Sequence, residues 1–140
     1  MENRSPLLTA HYVDKSDHFL EGMRLLAIDI AAYRSSIGLL AVHGAISLND
    51  AIVAGITGSR SKADDHSEAA RELERICAEL KIEARQGIRH FSMLLGRKNH
   101  IAYGDQRIDD NDVKAVVERA ERFASWAYNH FKEVLGARRS

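Results

Sequence analysis

The fold class that this 140-residue sequence predicts is all-α: one domain, a bundle of about five helices packed up and down. Three observations carry the prediction. There is one Pro in the whole chain, so the main obstacle to long helices is nearly absent. Apolar residues recur at three- and four-residue steps in five segments bounded by capping residues. No stretch alternates apolar and polar residues for long enough to suggest a sheet.

The first helix is expected over about Ser16 to Tyr33, where Phe19, Leu20, Met23, Leu26, Ala27, Ile30 and Ala31 make a broad apolar face, with N-caps among Asp14 to Asp17. The second, about Ser36 to Ile56, is apolar all round and contains no Lys, Arg or Glu. That pattern belongs to a helix buried on most sides, either in the centre of the bundle or against a second subunit. Gly38, Ala41, Gly44 and Ala45 permit close packing there, and Gly55 with Gly58 ends it.

A polar segment from Thr57 to Ala63 follows. Asp65 with Glu68 then starts a third helix through Leu73, Ile76, Cys77 and Leu80. The fourth, about Glu83 to Leu95, is expected to stop at Gly96, a residue suited to a left-handed C-cap. Gly87 is out of place inside it. The last helix follows the acidic run Asp109 to Asp112, whose oxygens cap and complement a helix N-terminus, and its face is Val113, Val116, Ala120, Phe123, Ala127 and Phe131. The core is expected over residues 16–135, within a single domain 1–140 whose ends fray.

Composition narrows the function classes. Lys plus Arg equals Asp plus Glu at 20 each, so binding to nucleic acid or to an acidic surface requires a local patch rather than a global field. Cys77 is the only cysteine, which excludes an internal disulfide and a multi-cysteine zinc site, and its apolar neighbours place it in the core. Residues 1–8 hold Arg4 and Pro6 without a signal-like apolar run. The longest uncharged stretch, Ser35 to Asn49, is too short to span a bilayer. A cytoplasmic protein that does not enter a membrane is expected.

Several polar groups stand out. His43 and Asp50 lie two turns apart on nearly the same face of the most apolar helix, where they either satisfy neighbouring groups or line an internal polar site. No second His or carboxylate stands three or four residues from His43, and His66 and His90 are isolated, so no metal and no cofactor is expected. Lys81, Arg85 and Arg89 recur every four residues, and Lys81 to Lys98 holds five basic residues against one acid, Glu83. This stripe is either a solvated face or a phosphate contact, and Arg60 with Lys62 extends it. Finally, Arg97, Lys98, Asn99, His100, Tyr103 and Asp105 cluster in what reads as a loop after the fourth helix.

At this last segment the sequence resembles the HEPN superfamily, small helical bundles with a polar motif of Arg, often then Asn, and His four to six residues on, before the last core helix. Lys98-Asn99-His100-Ile101-Ala102-Tyr103 stands at that place. The stretch Ala41 to Ala45, Asn49-Asp50-Ala51, Arg60-Ser61 and Asp65-His66 add to the likeness, which covers about Phe19 to Trp126. The resemblance implies a homodimer with paired motif segments and an association with RNA or nucleotides in defence, stress or toxin-antitoxin systems. It also implies either a metal-independent RNase or an inactive binding module, or a structural dimer, that docks a partner such as a nucleotidyltransferase or antitoxin. Lys98, Asn99 and Tyr103 take the catalytic positions, with His43, Asp50, Arg60, His66, Arg85, Arg89, Arg97 and His100 as binding candidates. The motif departs from the family pattern in two places: Lys98 gives a point charge where Arg gives a planar fork, and a tyrosine of pKa about 10 is protonated at neutral pH.

Overall fold

A computed structural model describes residues 1–103 and 108–136, with the side chains of His66, Asn99, Ala102 and Tyr103 outside the description. Among the described residues all regular structure is helical. The order is α1 (Pro6–Leu26), a 3-10 turn (Ala27–Asp29), α2 (Ile30–Thr57), α3 (His66–Leu80), α4 (Arg85–Tyr103), α5 (Asp110–His130) and the single turn α6 (Lys132–Leu135). The all-α class and the bundle architecture are as the sequence predicts.

α2 is the central element. It packs against α1, α3, α4, α5 and α6, which decides between the two places open to it in favour of the bundle's centre. Ile37, Ala41, Val42, Leu48, Ala51, Ile52 and Ala54 are wholly buried along it. α1 runs antiparallel to α2: Thr9 lies beside Gly55, Ser16 Oγ donates to the Gly44 carbonyl at 2.9 Å, and Gly22 lies beside Leu40. α4 and α5 form a second antiparallel pair, held by the stacked rings of Phe91 and Phe123 with centroids 4.9 Å apart.

Three boundaries differ from the sequence reading, each for a local reason. α1 begins ten residues early, at Pro6 in its first turn, with Asn3 Oδ1 accepting from the Ser5 amide and from the Thr9 hydroxyl. Its buried face includes Thr9, Tyr12 and Ser16, polar groups that an apolar-spacing scan passes over, and Asp14 to Asp17 lie inside the helix rather than capping it. The helix also stops short of Tyr33. Asp29 accepts from the Ala32 amide and caps α2, and Tyr33 takes non-helical angles of φ −130° and ψ 29°. Leu25, Ile28 and Tyr33 are exposed around this bend. By length and composition alone, the run 6–57 is apolar enough to cross a membrane, although the bend interrupts it.

The third difference matters most for function. α4 continues through Gly96 to Tyr103, so Arg97 to Tyr103 is helix and not loop. Phe91, Leu94, Leu95 and Ile101 keep one apolar face, and Ile101 is buried against the α2 backbone at Gly38. Burying an Ile side chain contributes about 1.5–3 kcal/mol, more than the ~1 kcal/mol that an interior Gly costs relative to Ala. Gly58 does end α2 as expected, in a left-handed conformation at φ 84°, but Gly55 lies inside the helix, where a Cβ would overlap Val134. Gly87 is explained by close approach: a Cβ there would overlap the indole of Trp126, whose Nε1 donates to the Glu83 carbonyl at 3.0 Å.

Candidate functional site

Four helices and the segment before α3 surround a cleft of about 370 Å³. α2 contributes Ile46, Asn49 and Asp50, one turn of a single face. α4 contributes Phe91, Leu95 and Lys98, spaced by four and three residues so that the Lys stem continues the apolar face and its ammonium reaches the rim. Tyr12 comes from α1. Arg60, Ser61, Asp64 and Asp65 come from the connection into α3. The cleft is therefore apolar on the α4 side and polar on the α2 side.

The polar side is built from residues with few internal partners. Asn49 is 2% exposed, and no donor among the described residues reaches its Oδ1. Such an orphan in a low-dielectric setting costs about 1–3 kcal/mol. The next residue, Asp50, is pushed up to about 6 from an ordinary value of 3.8, mainly by burial and then by Glu72, while Lys15 and Arg60 pull the other way. Two acids nearby have donors: Ser61 of the cleft wall donates to Glu72, outside the cleft, at 2.6 Å, and Asp65 accepts the Glu68 amide at 2.8 Å as the α3 N-cap. Arg60 is held in place from α1. Its Nη1 donates to the Tyr12 hydroxyl at 2.6 Å, and its guanidinium carbon lies 5.7 Å from that ring's centre.

His43 sits two turns further along α2, about 10 Å from Asp50 along the axis, and does not line the cleft. Its ring packs on Phe19 at 5.8 Å, and burial together with Lys98 and Lys15 lowers its pKa, which favours the neutral imidazole. Lys98 thus stands between the cleft and His43.

Of the candidates from sequence, the binding candidates Asp50 and Arg60 and the catalytic candidate Lys98 converge, and His43 lies beside them. Arg85 and Arg89 do not join them. They are exposed, and Arg89 lies on the opposite side of α4 from Lys98, about 180° round the axis. His100 falls about 20° from Arg89 and so belongs to that outer face, with Arg97 about 80° from it. The basic stripe and the cleft are two separate features. The side chains of His66, Asn99 and Tyr103 lie outside the described residues.

Sequence reasoning missed Tyr12 and Asn49 as parts of the site. Asn49 carried a signal, since an amide beside Asp50 in a helix otherwise free of Lys, Arg and Glu demands partners. Tyr12 carried none, because α1 was expected to begin after it.

His90, 7% exposed, pairs its Nδ1 with Arg119 Nη1 at 3.0 Å beside a second cleft lined by Glu121, Arg122, Trp126 and His130. Burial, then Glu74, pushes the Cys77 thiol up to about 11, which keeps it protonated in the core. Among the described residues no three His, Cys, Asp or Glu side chains are grouped to hold a metal ion. Comparison with protein-family models and with curated proteins finds no match.

Proposed function

We propose that this chain is a HEPN-like helical protein that binds RNA or a free nucleotide in the cleft between α1, α2, α3 and α4. The observation that carries the reading is the convergence of Asn49, Asp50, Arg60 and Lys98 on one half-apolar cavity. Ligand sites combine these elements: apolar walls for a flat ring, a few fixed polar groups, and a volume of about 300–1,000 Å³. Arg60 and Lys98 supply cations for phosphate, and the Tyr12 hydroxyl fixes the guanidinium before a ligand arrives. The likeness of Lys98-Asn99 and Tyr103 to the family motif supports an association with RNA in defence or stress, as a homodimer or with a nucleotidyltransferase or antitoxin partner.

Fluorescence anisotropy with a labelled single-stranded RNA tests this. Binding should weaken with salt and fall at least tenfold in Arg60→Ala and Lys98→Ala, since each removes about 1.5–3 kcal/mol of charged hydrogen bonding. Equal affinity in both variants would remove the cleft from the interaction.

A second reading, metal-independent RNA cleavage, is favoured by the lowered pKa of His43 beside Lys98, because a neutral imidazole is a competent general base at neutral pH. It predicts cleavage in the presence of EDTA that is lost in His43→Ala and Tyr103→Phe. Cleavage that persists in both variants would overturn it.

A further inference from the structure

The second cleft, between α4 and α5, encloses about 480 Å³ and shares no lining residue with the nucleotide site. Gln86 and His90, one turn apart, form its α4 wall, and Arg122, Trp126 and Asn129 come from α5. Its chemistry is set by His90. Arginine can only donate, so the contact of Arg119 Nη1 with His90 Nδ1 at 3.0 Å makes Nδ1 the acceptor and puts the imidazole proton on Nε2. Burial, then Arg119, Arg122 and Arg89, lowers the pKa of the ring and keeps it neutral at neutral pH. Arg119 does not line the cleft, so the ring edge left to face it is the one that carries Nε2–H. That nitrogen has no acceptor among the described residues and is not sealed from solvent as Asn49 Oδ1 is.

The charge around this donor is positive. Three guanidiniums, Arg119, Arg122 and Arg89, act on His90 against one carboxylate, Glu118. Glu121, the one acid among the described lining residues, is already engaged, since Arg24 Nε reaches both of its oxygens at 3.2 Å. Glu118 pairs with Arg122 at 2.6 Å, but that contact is an exposed one between neighbouring turns, and such pairs are weak, so Arg122 is free to turn to a ligand. Arg119 bonds a neutral nitrogen and keeps its full charge. An excess of two positive charges beside a fixed N–H suits a doubly charged oxyanion better than a singly charged one.

We infer that the cleft between α4 and α5 is a second binding site, one for a phosphate group, held by His90 Nε2–H and the Arg122 guanidinium in the field of Arg89 and Arg119. Arg119 is a positioning residue there, fixing the tautomer and the angle of the imidazole before the anion arrives. The wall behind it is fixed as well, because Trp126 is 8% exposed and its Nε1 is anchored on the Glu83 carbonyl at 3.0 Å. The site also gives Arg89 a role that the nucleotide cleft leaves it without.

Trp126 is the only tryptophan of the chain and lines this cleft, so its fluorescence reports the site directly. The full chain is titrated at pH 7.5 and constant ionic strength with inorganic phosphate, glycerol 3-phosphate and acetate. One or both phosphates should give a saturable change, the tighter of the two naming the free ion or the ester as the source, and acetate should bind about tenfold or more weakly. Arg122→Ala, at an exposed position, should weaken phosphate about tenfold or more. His90→Asn, which keeps an acceptor for Arg119 and removes Nε2–H, should weaken it as well. Arg60→Ala and Lys98→Ala should leave the response unchanged, which separates this site from the nucleotide cleft. No saturable response, an equal response to acetate, or full affinity in Arg122→Ala would overturn the inference, and so would loss of the response in Arg60→Ala. The Arg122 variant decides the matter even if His90→Asn fails to fold.

Discussion

Replacing Asp50 by Asn should stabilise the protein at neutral pH and leave its stability unchanged in acid. Folding raises the pKa of Asp50 from 3.8 to about 6 because burial and Glu72 disfavour the charged form. A group whose pKa rises on folding binds its proton more tightly in the native state. Its contribution is thus fully present below the unfolded value near 3.8 and lost as pH climbs through 6. The full shift corresponds to about 3 kcal/mol, and since the carboxyl is partly open to the cleft, screening reduces this to about 1–2 kcal/mol. Asn keeps the shape and removes the charge. Urea titrations of both proteins at pH 3.5 and pH 7.5 should therefore show no difference in acid and a gain of that size at pH 7.5. A loss at pH 7.5, or a difference independent of pH, would refute the electrostatic account of Asp50 and with it the view that the cleft keeps a carboxylate at a cost in stability.

Other perturbations probe the fold that positions the site. Gly96→Ala should stabilise by up to about 1 kcal/mol, because Gly96 lies exposed inside α4 with open space at its Cβ position; a loss in thermal denaturation would point to a left-handed C-cap there. Gly87→Ala should destabilise by about 1–3 kcal/mol through collision with the anchored Trp126 ring, and an unchanged Tm would contradict that packing. Cys77 should react with a disulfide reagent such as DTNB only after denaturant is added, since its thiol is buried and its pKa is near 11; rapid labelling of the native protein would contradict its place in the core.

The helical class was legible because it depends on periodicity and caps, and these are written locally. Asp65 and Asp109 cap α3 and α5 as read from the sequence, and the uncharged second helix lies at the centre as its composition requires. What escaped were decisions made by packing between distant segments. Whether Gly96 stops α4 depends on Ile101 finding Gly38 on another helix, and nothing near Gly96 reports that contact. The early start of α1 depends on buried Thr9 and Ser16, whose hydroxyls bond the Ser5 and Gly44 carbonyls.

The candidate site was legible in part for the same reason. Asp50, Arg60 and Lys98 stood out as polar or charged residues in informative places, and folding brings them to one cleft. The basic repeat of Arg85 and Arg89 was equally visible, yet the extension of α4 places Arg89 on the face opposite Lys98. Spacing within one helix predicts which residues share a face. It does not say which face meets a neighbour, and so Tyr12 could be joined to Arg60 only once α1 was in place.

The most direct test of the nucleotide cleft is a chemical-shift titration of the ¹⁵N-labelled protein with GMP. Perturbations should centre on the side-chain amide of Asn49, the Arg60 guanidinium and the backbone around Phe91, Leu95 and Lys98. Shifts centred instead on Arg85 and Arg89 would assign ligand binding to the outer basic face, and no shifts at saturating ligand would contradict the account outright.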